Sequence, residues 1–271
     1  AVSAGRDWPQ DSSAARRSRY RACPEDGVIV DVEGRRVLIT GGTRGIGRAA
    51  ALAFASRGAT VTLAYRSNTQ AAEATLAELP DGEHSAVQAD VSKPDDCERL
   101  VRTAAGRMGG LDVVVNNAGV GGRHRIDEDT VDDWQAAWSR ILDTNLIGPA
   151  NVAYHAGRWM MNHGGGRMVF VSSRGAFRGE PDQPAYGASK AGLNSLAGSL
   201  AQQLAPYGVF VGTVAPGFVE TDLAKERLKG EAGDAIKNQS PHGRVAKPEE
   251  VAHAIVFLAS AGAEWATGTI I

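Results

Sequence analysis

From residue 36 onward, short apolar runs alternate with longer stretches in which apolar residues recur at helical spacing. The runs at 36–40, 60–65, 84–89, 111–116, 166–172 and 208–214 have the length and the Val/Ile/Leu content of buried strands. Between them, 45–57, 69–79, 94–108, 130–163, 186–205 and 248–260 carry the period of helices with one apolar face. Strict alternation of the two predicts an α/β fold: a doubly wound, Rossmann-type parallel sheet with helices on both faces. Pro248-Glu249-Glu250 places a proline and two acids in the first turn of the last helix. There a missing N–H costs nothing, and negative charge meets the positive end of the dipole. Gly268-Thr269-Ile270-Ile271 reads as the start of a further strand, whose continuation is expected beyond the last residue.

The stretch Val37-Leu38-Ile39-Thr40-Gly41-Gly42-Thr43-Arg44-Gly45-Ile46-Gly47 sets strand, glycine turn and helix in succession. This is how a dinucleotide-binding βαβ unit begins. Gly41 permits the tight turn, Gly45 lets backbone approach a pyrophosphate, and Gly47 lets the helix settle on the strand. The helix start then offers unpaired N–H groups to phosphate. At the end of the second strand stand Tyr65-Arg66-Ser67-Asn68, with no acid to accept from a ribose 2′-OH. Arg66 and Ser67, with Arg44 from the glycine turn, suit a 2′-phosphate instead and favour NADP(H) over NAD(H). Asp90-Val91 closes the third strand; the aspartate either accepts from an adenine amino group or caps a turn. Asn116-Asn117-Ala118-Gly119 follows the fourth strand, at the sheet end where ligands of such folds bind.

Tyr186-Gly187-Ala188-Ser189-Lys190 puts a phenol and an ammonium on one helical face. A nearby ammonium favours phenolate, so the Tyr186 pKa is expected to fall. Upstream, Met168-Val169-Phe170-Val171-Ser172-Ser173 delivers two hydroxyls to the end of a buried strand; Ser172 is expected either there or bonded to backbone.

Composition narrows the classes. Lys and Arg number 29 against 31 Asp and Glu, a net charge of −2, which excludes a protein-wide nucleic-acid surface. Cys23 and Cys97 have no ligand-type spacing, so neither a disulfide scaffold nor a metal site is expected, and a reducing, cytoplasmic compartment follows. No apolar run is long enough to span a membrane. Residues 1–33 form an N-terminal extension with Arg6, Arg16, Arg17, Arg19 and Arg21 against Asp7 and Asp11. A flexible tail, the remains of an organelle-targeting segment and residues added by cloning are all open readings of it; a secretory core is absent. Residues 34–271 are expected to form a single domain.

Together, Thr40-Gly41-x-x-x-Gly45-x-Gly47, Asn116-Asn117-Ala118-Gly119, Asn145, Ser173, Tyr186-x-x-x-Lys190 and Pro216-Gly217 resemble the short-chain dehydrogenase/reductase family. The likeness runs from about Arg36 to the end, and points in particular to 3-oxoacyl-(acyl-carrier-protein) reductase-like members. It implies about seven parallel strands, the seventh starting near Thr269. It also implies that Tyr186 donates a proton in reduction and accepts one in oxidation. Ser173 would hold the substrate oxygen, Lys190 would bond the nicotinamide ribose, and Asn145 would hold a water linking Lys190 to solvent. The implied cofactor set is Gly41, Thr43, Arg44, Gly45, Ile46, Gly47, Arg66, Ser67, Asp90, Val91, Asn117, Ala118, Gly119, Tyr186, Lys190, Pro216, Gly217, Val219 and Thr221. The substrate would be a small carbonyl compound or alcohol, and the assembly a homotetramer, with the leucines 193, 196, 200 and 204 either at an interface or facing the sheet.

Specificity is left to the loops. Arg123, His124 and Arg125 follow the fourth strand, and Arg178, Glu180 and Asp182 lie between Ser173 and Tyr186. A lid is expected near 218–238, with hinges at Gly230 and Gly233, and with Lys225, Arg227 and Lys229 either as anion contacts or on a solvated face. Carrier-protein reductases often have basic residues before the fifth strand and at the end of the Tyr/Lys helix. His163 and Tyr207 stand there instead, which leaves acyl-carrier docking open. The readings that remain are a 3-oxoacyl-type or small-ketone reductase, a sugar- or polyol-type dehydrogenase, and a non-catalytic dinucleotide-binding regulator.

Overall fold

The computed structural model describes residues 30–221 and 228–271. The extension up to residue 29 lies outside the described residues, as do Lys225 and Arg227. Six strands, β1 (Arg36–Thr40), β2 (Thr60–Tyr65), β3 (Ser85–Gln88), β4 (Val113–Asn116), β5 (Gly166–Val171) and β6 (Val209–Val214), form one sheet in the order β3-β2-β1-β4-β5-β6. Every neighbouring pair is parallel. The helices are α1 (Gly45–Ala55), α2 (Thr69–Glu78), α3 (Pro94–Met108), α4 (Val131–Leu142), α5 (Gly148–Asn162), α6 (Pro184–Leu204), α7 (Gly230–Lys237) and α8 (Pro248–Ala259).

Successive strand residues point to opposite faces, so each strand feeds two cores. Val37, Ile39, Val113, Val115, Val169 and Val171 pack with Phe54 of α1 and Ile255 of α8 on one side. Leu38, Val114, Met168 and Phe170 pack with Leu100, Met160 and Leu193 of α3, α5 and α6 on the other. Double-sided burial is why these strands read as unbroken apolar runs. At the base of the sheet Arg36 grips Asp112 through Nε (2.7 Å) and Nη2 (2.8 Å), fixing the start of β1 beside β4. The Arg36 guanidinium outweighs burial and holds the Asp112 carboxyl below its ordinary range.

Three sequence expectations change. Among the described residues the sheet has six strands where about seven were expected: the last residues lie parallel to β6 through Ile271 N to Thr213 O (2.9 Å) and Ala215 N to Ile271 O (2.7 Å), as an isolated bridge. The helix expected over 130–163 is broken by a wide π turn, Asp143–Ile147. Gly148 N bonds Asp143 O, and Pro149 has no N–H to continue the ordinary ladder. Gly148 is also where α5 meets the segment after β3, since a Cβ there would lie 2.7 Å from Val91 O. Finally, Gly230 and Gly233 both belong to α7 rather than to hinges; a Cβ at Gly233 would strike Leu228 O at 2.1 Å. The leucine stripe of α6 faces inward: Leu193 and Leu204 are buried, and Leu196 and Leu200 pack against the same core.

Candidate active site

The chain order reverses between β1 and β4, and the strand ends there diverge into a cleft of about 700 Å³. Its walls include Gly41, Thr43, Arg44, Gly45, Ile46, Arg66, Ser67, Asp90, Val91, Asn117, Ala118, Gly119, Ser173, Tyr186, Lys190, Pro216, Gly217, Val219 and Thr221. Of the expected catalytic and cofactor-binding residues, Gly47 and Asn145 stand behind the wall rather than in it.

Gly41 and Gly45 have φ of 63° and 52°, in the region glycine tolerates. A Cβ at Gly45 would come 3.2 Å from Thr221 Cγ2, so the turn lies close under the β6 loop. A Cβ at Gly47 would sit 2.2 Å from Gly41 O and 2.5 Å from Asn117 Nδ2, which makes glycine obligatory there. Asn117 donates from Nδ2 to Thr40 O (2.9 Å) and Gly41 O (3.0 Å). Thr40 Oγ1 in turn accepts from the N–H groups of Asn117 and Ala118, each at 3.0 Å. Asn117 therefore locks the two βα turns together. Helix α1 begins at Arg44 with no side-chain cap and no acid in its first turn, leaving its N–H groups to an anion.

At the far end Arg44 and Arg66 are both exposed, and neither guanidinium has a hydrogen bond or ion pair among the described residues. Asp90 both lines the cleft and closes a turn, with Oδ1 accepting from Ser92 N (3.1 Å) and Ser92 Oγ (2.7 Å). The uncapped helix start and the glycine turn fit a pyrophosphate in this half of the cleft.

At the near end Lys190 is buried, and its Nζ donates to Val171 O (2.8 Å). Burial pushes its pKa down to about 8. Tyr186 stands one turn earlier, its ring centroid 5.8 Å from that Nζ. Burial raises the phenol; a hydrogen bond with Ser173 pulls it back, and the Glu180 carboxylate raises it again. The expected fall in the Tyr186 pKa is thus reversed, because helical spacing shows proximity to Lys190 but not the burial that dominates. Ser173 Oγ accepts from Gly175 N (3.1 Å), which leaves its own proton for the Tyr186 oxygen or for a substrate oxygen in its place. Ser172 is buried and bonds backbone, with Oγ to Lys190 O at 3.3 Å.

Asn145, in the π turn, is fully buried. Its Oδ1 accepts from Val120 N (2.8 Å), while Nδ2 donates to Val120 O (2.8 Å) and Ser189 Oγ (3.1 Å). A Cβ on Gly119 would lie 3.4 Å from Asn145 Oδ1 and 3.5 Å from Lys190 Nζ, so both groups face the gap this glycine leaves.

A buried ammonium has a stability signature. With the folded pKa about 8 against an ordinary 10.5, the unfolded chain binds more protons between those values. Stability should therefore rise with pH across that window. Lys190→Met is expected to flatten the rise and to lift Tm at neutral pH by roughly 5 °C while abolishing turnover. Calorimetry at several pH values tests this; an unchanged slope in the variant would refute it.

The loop residues are engaged with one another. Arg125 pairs with Asp182 (3.1 Å) and Asp127 (2.6 Å), and Arg123 pairs with Glu128. His124 is buried: Nδ1 bonds Gly122 O (2.8 Å), and Nε2 accepts from Ala185 N (3.0 Å) at the start of α6. These contacts join the loop after β4 to the segment leading into Tyr186. Arg174, missed in sequence although it follows Ser173, stacks on Phe218 at 4.6 Å and donates to Gln239 (3.0 Å). Gln183 also lines the cleft; nothing in its sequence context marks it. Among the described residues no group of acidic, His or Cys side chains is arranged to hold a metal, and no helix is long and apolar enough to cross a membrane.

Residues 41–271 match the family model described as enoyl-(acyl carrier protein) reductase. The 3-oxoacyl-(acyl-carrier-protein) reductase of Synechocystis is 38% identical over 82% of this chain and 88% of its own. That of Vibrio cholerae is 36% identical over 88% and 95%. The crystal structure of levodione reductase superimposes with a TM-score of 0.82 at 29% identity, covering 88% of this chain and 95% of that one.

Proposed function

The chain belongs to the short-chain dehydrogenase/reductase family, as an oxidoreductase of carbonyl and alcohol groups that uses a nicotinamide cofactor; from that premise we propose that it is an NADP(H)-dependent reductase of a 3-oxoacyl-type or small-ketone substrate. Ser173, Tyr186, Lys190 and Asn145 are its working residues. The observation that carries the reading is the convergence of Ser173, Tyr186 and Lys190 in a cleft that is also lined by two arginines without a partner among the described residues.

The nicotinamide supplies the hydride. Ser173, whose lone pair is engaged by Gly175 N–H, donates a hydrogen bond to the substrate oxygen, keeping its own proton, and steadies the charge that develops there. Tyr186 then gives that oxygen its proton. A phenol raised by burial is held in the protonated state that reduction needs. Lys190 spends one N–H on Val171 O and has two left for ribose hydroxyls. The gap at Gly119 suits a water between Lys190 and Asn145 through which Tyr186 is resupplied with protons from solvent.

Residues 34–271 act as one catalytic domain in this reading, and the buried thiol of Cys97 suits a cytoplasmic setting. Exposed Val131 of α4, Ile147 of the π turn and Tyr154 of α5 are apolar surface that supports assembly as a homotetramer. The polyol-type dehydrogenase is kept as a second reading for one observation, the charged Glu180 in the cleft wall.

The test is oxidation of NADPH and NADH over a panel of small ketones and 3-oxoacyl thioesters. Reduction with NADPH at least tenfold ahead of NADH is the expected result. Tight NADPH binding with no ketone or thioester turned over would favour the regulator instead.

A further inference from the structure

The charges around the substrate half of the cleft are nearly all spoken for. Asp182 is held by Arg125, Glu128 by Arg123, and Arg174 by Phe218 and Gln239. Glu180 and Arg178 are the exceptions among the described residues, and of the two only Glu180 lines the cleft. It is half-buried and lines the cleft with Ser173, Gln183 and Tyr186, yet its carboxylate has no hydrogen bond or ion pair among the described residues.

Its position is built rather than incidental. The chain leaves Ser173 through a tight turn, Arg174–Ala176, passes the exposed Phe177, and returns at Glu180, whose carbonyl accepts from Gln183 N (3.0 Å). The side chain lies against two glycines. A Cβ at Gly175 would come 2.9 Å from Glu180 Oε1, and one at Gly187 would come 3.5 Å from Glu180 Cγ. Gly175 is two residues after Ser173, and Gly187 is the neighbour of Tyr186. The absence of side chains at these places lets the carboxylate rest between the segments carrying the serine and the phenol. It is close enough for its charge to be felt at the Tyr186 phenol.

A half-buried carboxylate without a partner is costly, and it can only accept hydrogen bonds. A ligand that relieves the cost must bring a donor, and a ligand that brings an anion is repelled. We propose that Glu180 is a specificity residue, selecting ketones with a hydroxyl group one or two carbons from the carbonyl over plain ketones and over 3-oxoacid anions. This deepens the reductase reading and rests on it, and it shifts the preferred substrate from acyl to hydroxylated compounds.

Two isosteric pairs test it: hydroxyacetone against butanone, and 4-hydroxybutan-2-one against pentan-2-one, with acetoacetate as the anion, all with NADPH. The quantity read is the ratio of kcat/KM within each pair. Wild type should favour the hydroxylated member of at least one pair by tenfold or more. Glu180→Ala should bring that ratio close to unity and improve acetoacetate relative to butanone. Glu180→Gln, whose amide oxygen still accepts, should keep most of the hydroxyl preference while also easing the rejection of acetoacetate. That rescue separates recognition from mere loop structure. Turnover of butanone and pentan-2-one with no preference in either pair, or a preference that survives Glu180→Ala, overturns the assignment and leaves the reductase standing. No NADPH-dependent turnover of any ketone overturns both.

Discussion

Tyr186→Phe is expected to lower kcat/KM for carbonyl reduction by about 10³-fold, within the range seen for loss of a positioned general acid. That corresponds to about 4 kcal/mol of transition-state stabilisation. The substitution is informative because it removes a single oxygen. The ring keeps filling its place on α6 above Lys190, so the melting temperature should stay within about a degree or two, and loss of activity is not loss of fold. NADPH affinity, followed by fluorescence titration, should change by less than about threefold, because Lys190 keeps its bond to Val171 O and the phosphate end of the cleft is untouched. The partner left behind is Ser173, which retains Gly175 N–H as donor and can still hold the substrate oxygen. Residual turnover should therefore reflect positioning and hydride supply alone. A variant with wild-type turnover would remove Tyr186 from the chemistry.

How much of this was legible beforehand depends on the range of the interaction. The glycine turn, the strand ends and the Tyr186/Lys190 spacing are local patterns, and the residues that carry them line one cleft. The π turn around Asn145 was obscured because apolar periodicity runs on through it; the signal was Gly148-Pro149, which a periodicity count does not weigh. The roles of the charged loops were hidden for a different reason. Arg125 and Asp182 are far apart in sequence, as are His124 and Ala185, and only the fold brings each pair together. Arg123, His124 and Arg125 stand in a loop to which the sequence leaves specificity, yet the two arginines are held in ion pairs and the histidine by backbone. Burial is likewise a tertiary quantity, which is why the direction of the Tyr186 shift could not be read from its helical neighbour.

The paired substitution Arg44→Ala, Arg66→Ala carries the other large effect. Each guanidinium that meets a 2′-phosphate in a charge-assisted bond contributes about 1.5–3 kcal/mol. Loss of both is therefore expected to weaken NADPH binding by roughly 10²–10³-fold, with each single variant giving a smaller loss. NADH has no 2′-phosphate, so its dissociation constant should move by less than about threefold, and the preference between the cofactors should collapse. Both arginines are exposed and free of other partners, so their removal should not disturb the fold, and Tm without ligand is the control. Exposure has a second consequence. Salt screens such charges, so the wild-type preference for NADPH should shrink as ionic strength rises, and the double variant should show almost no salt dependence of its own. Calorimetric titration of both cofactors at low and high salt measures all of this. Equal loss for the two cofactors would mean that the arginines act on the shared pyrophosphate. A wild type that prefers NADH would mean that they face solvent, and the missing acid at the end of β2 would then need another explanation.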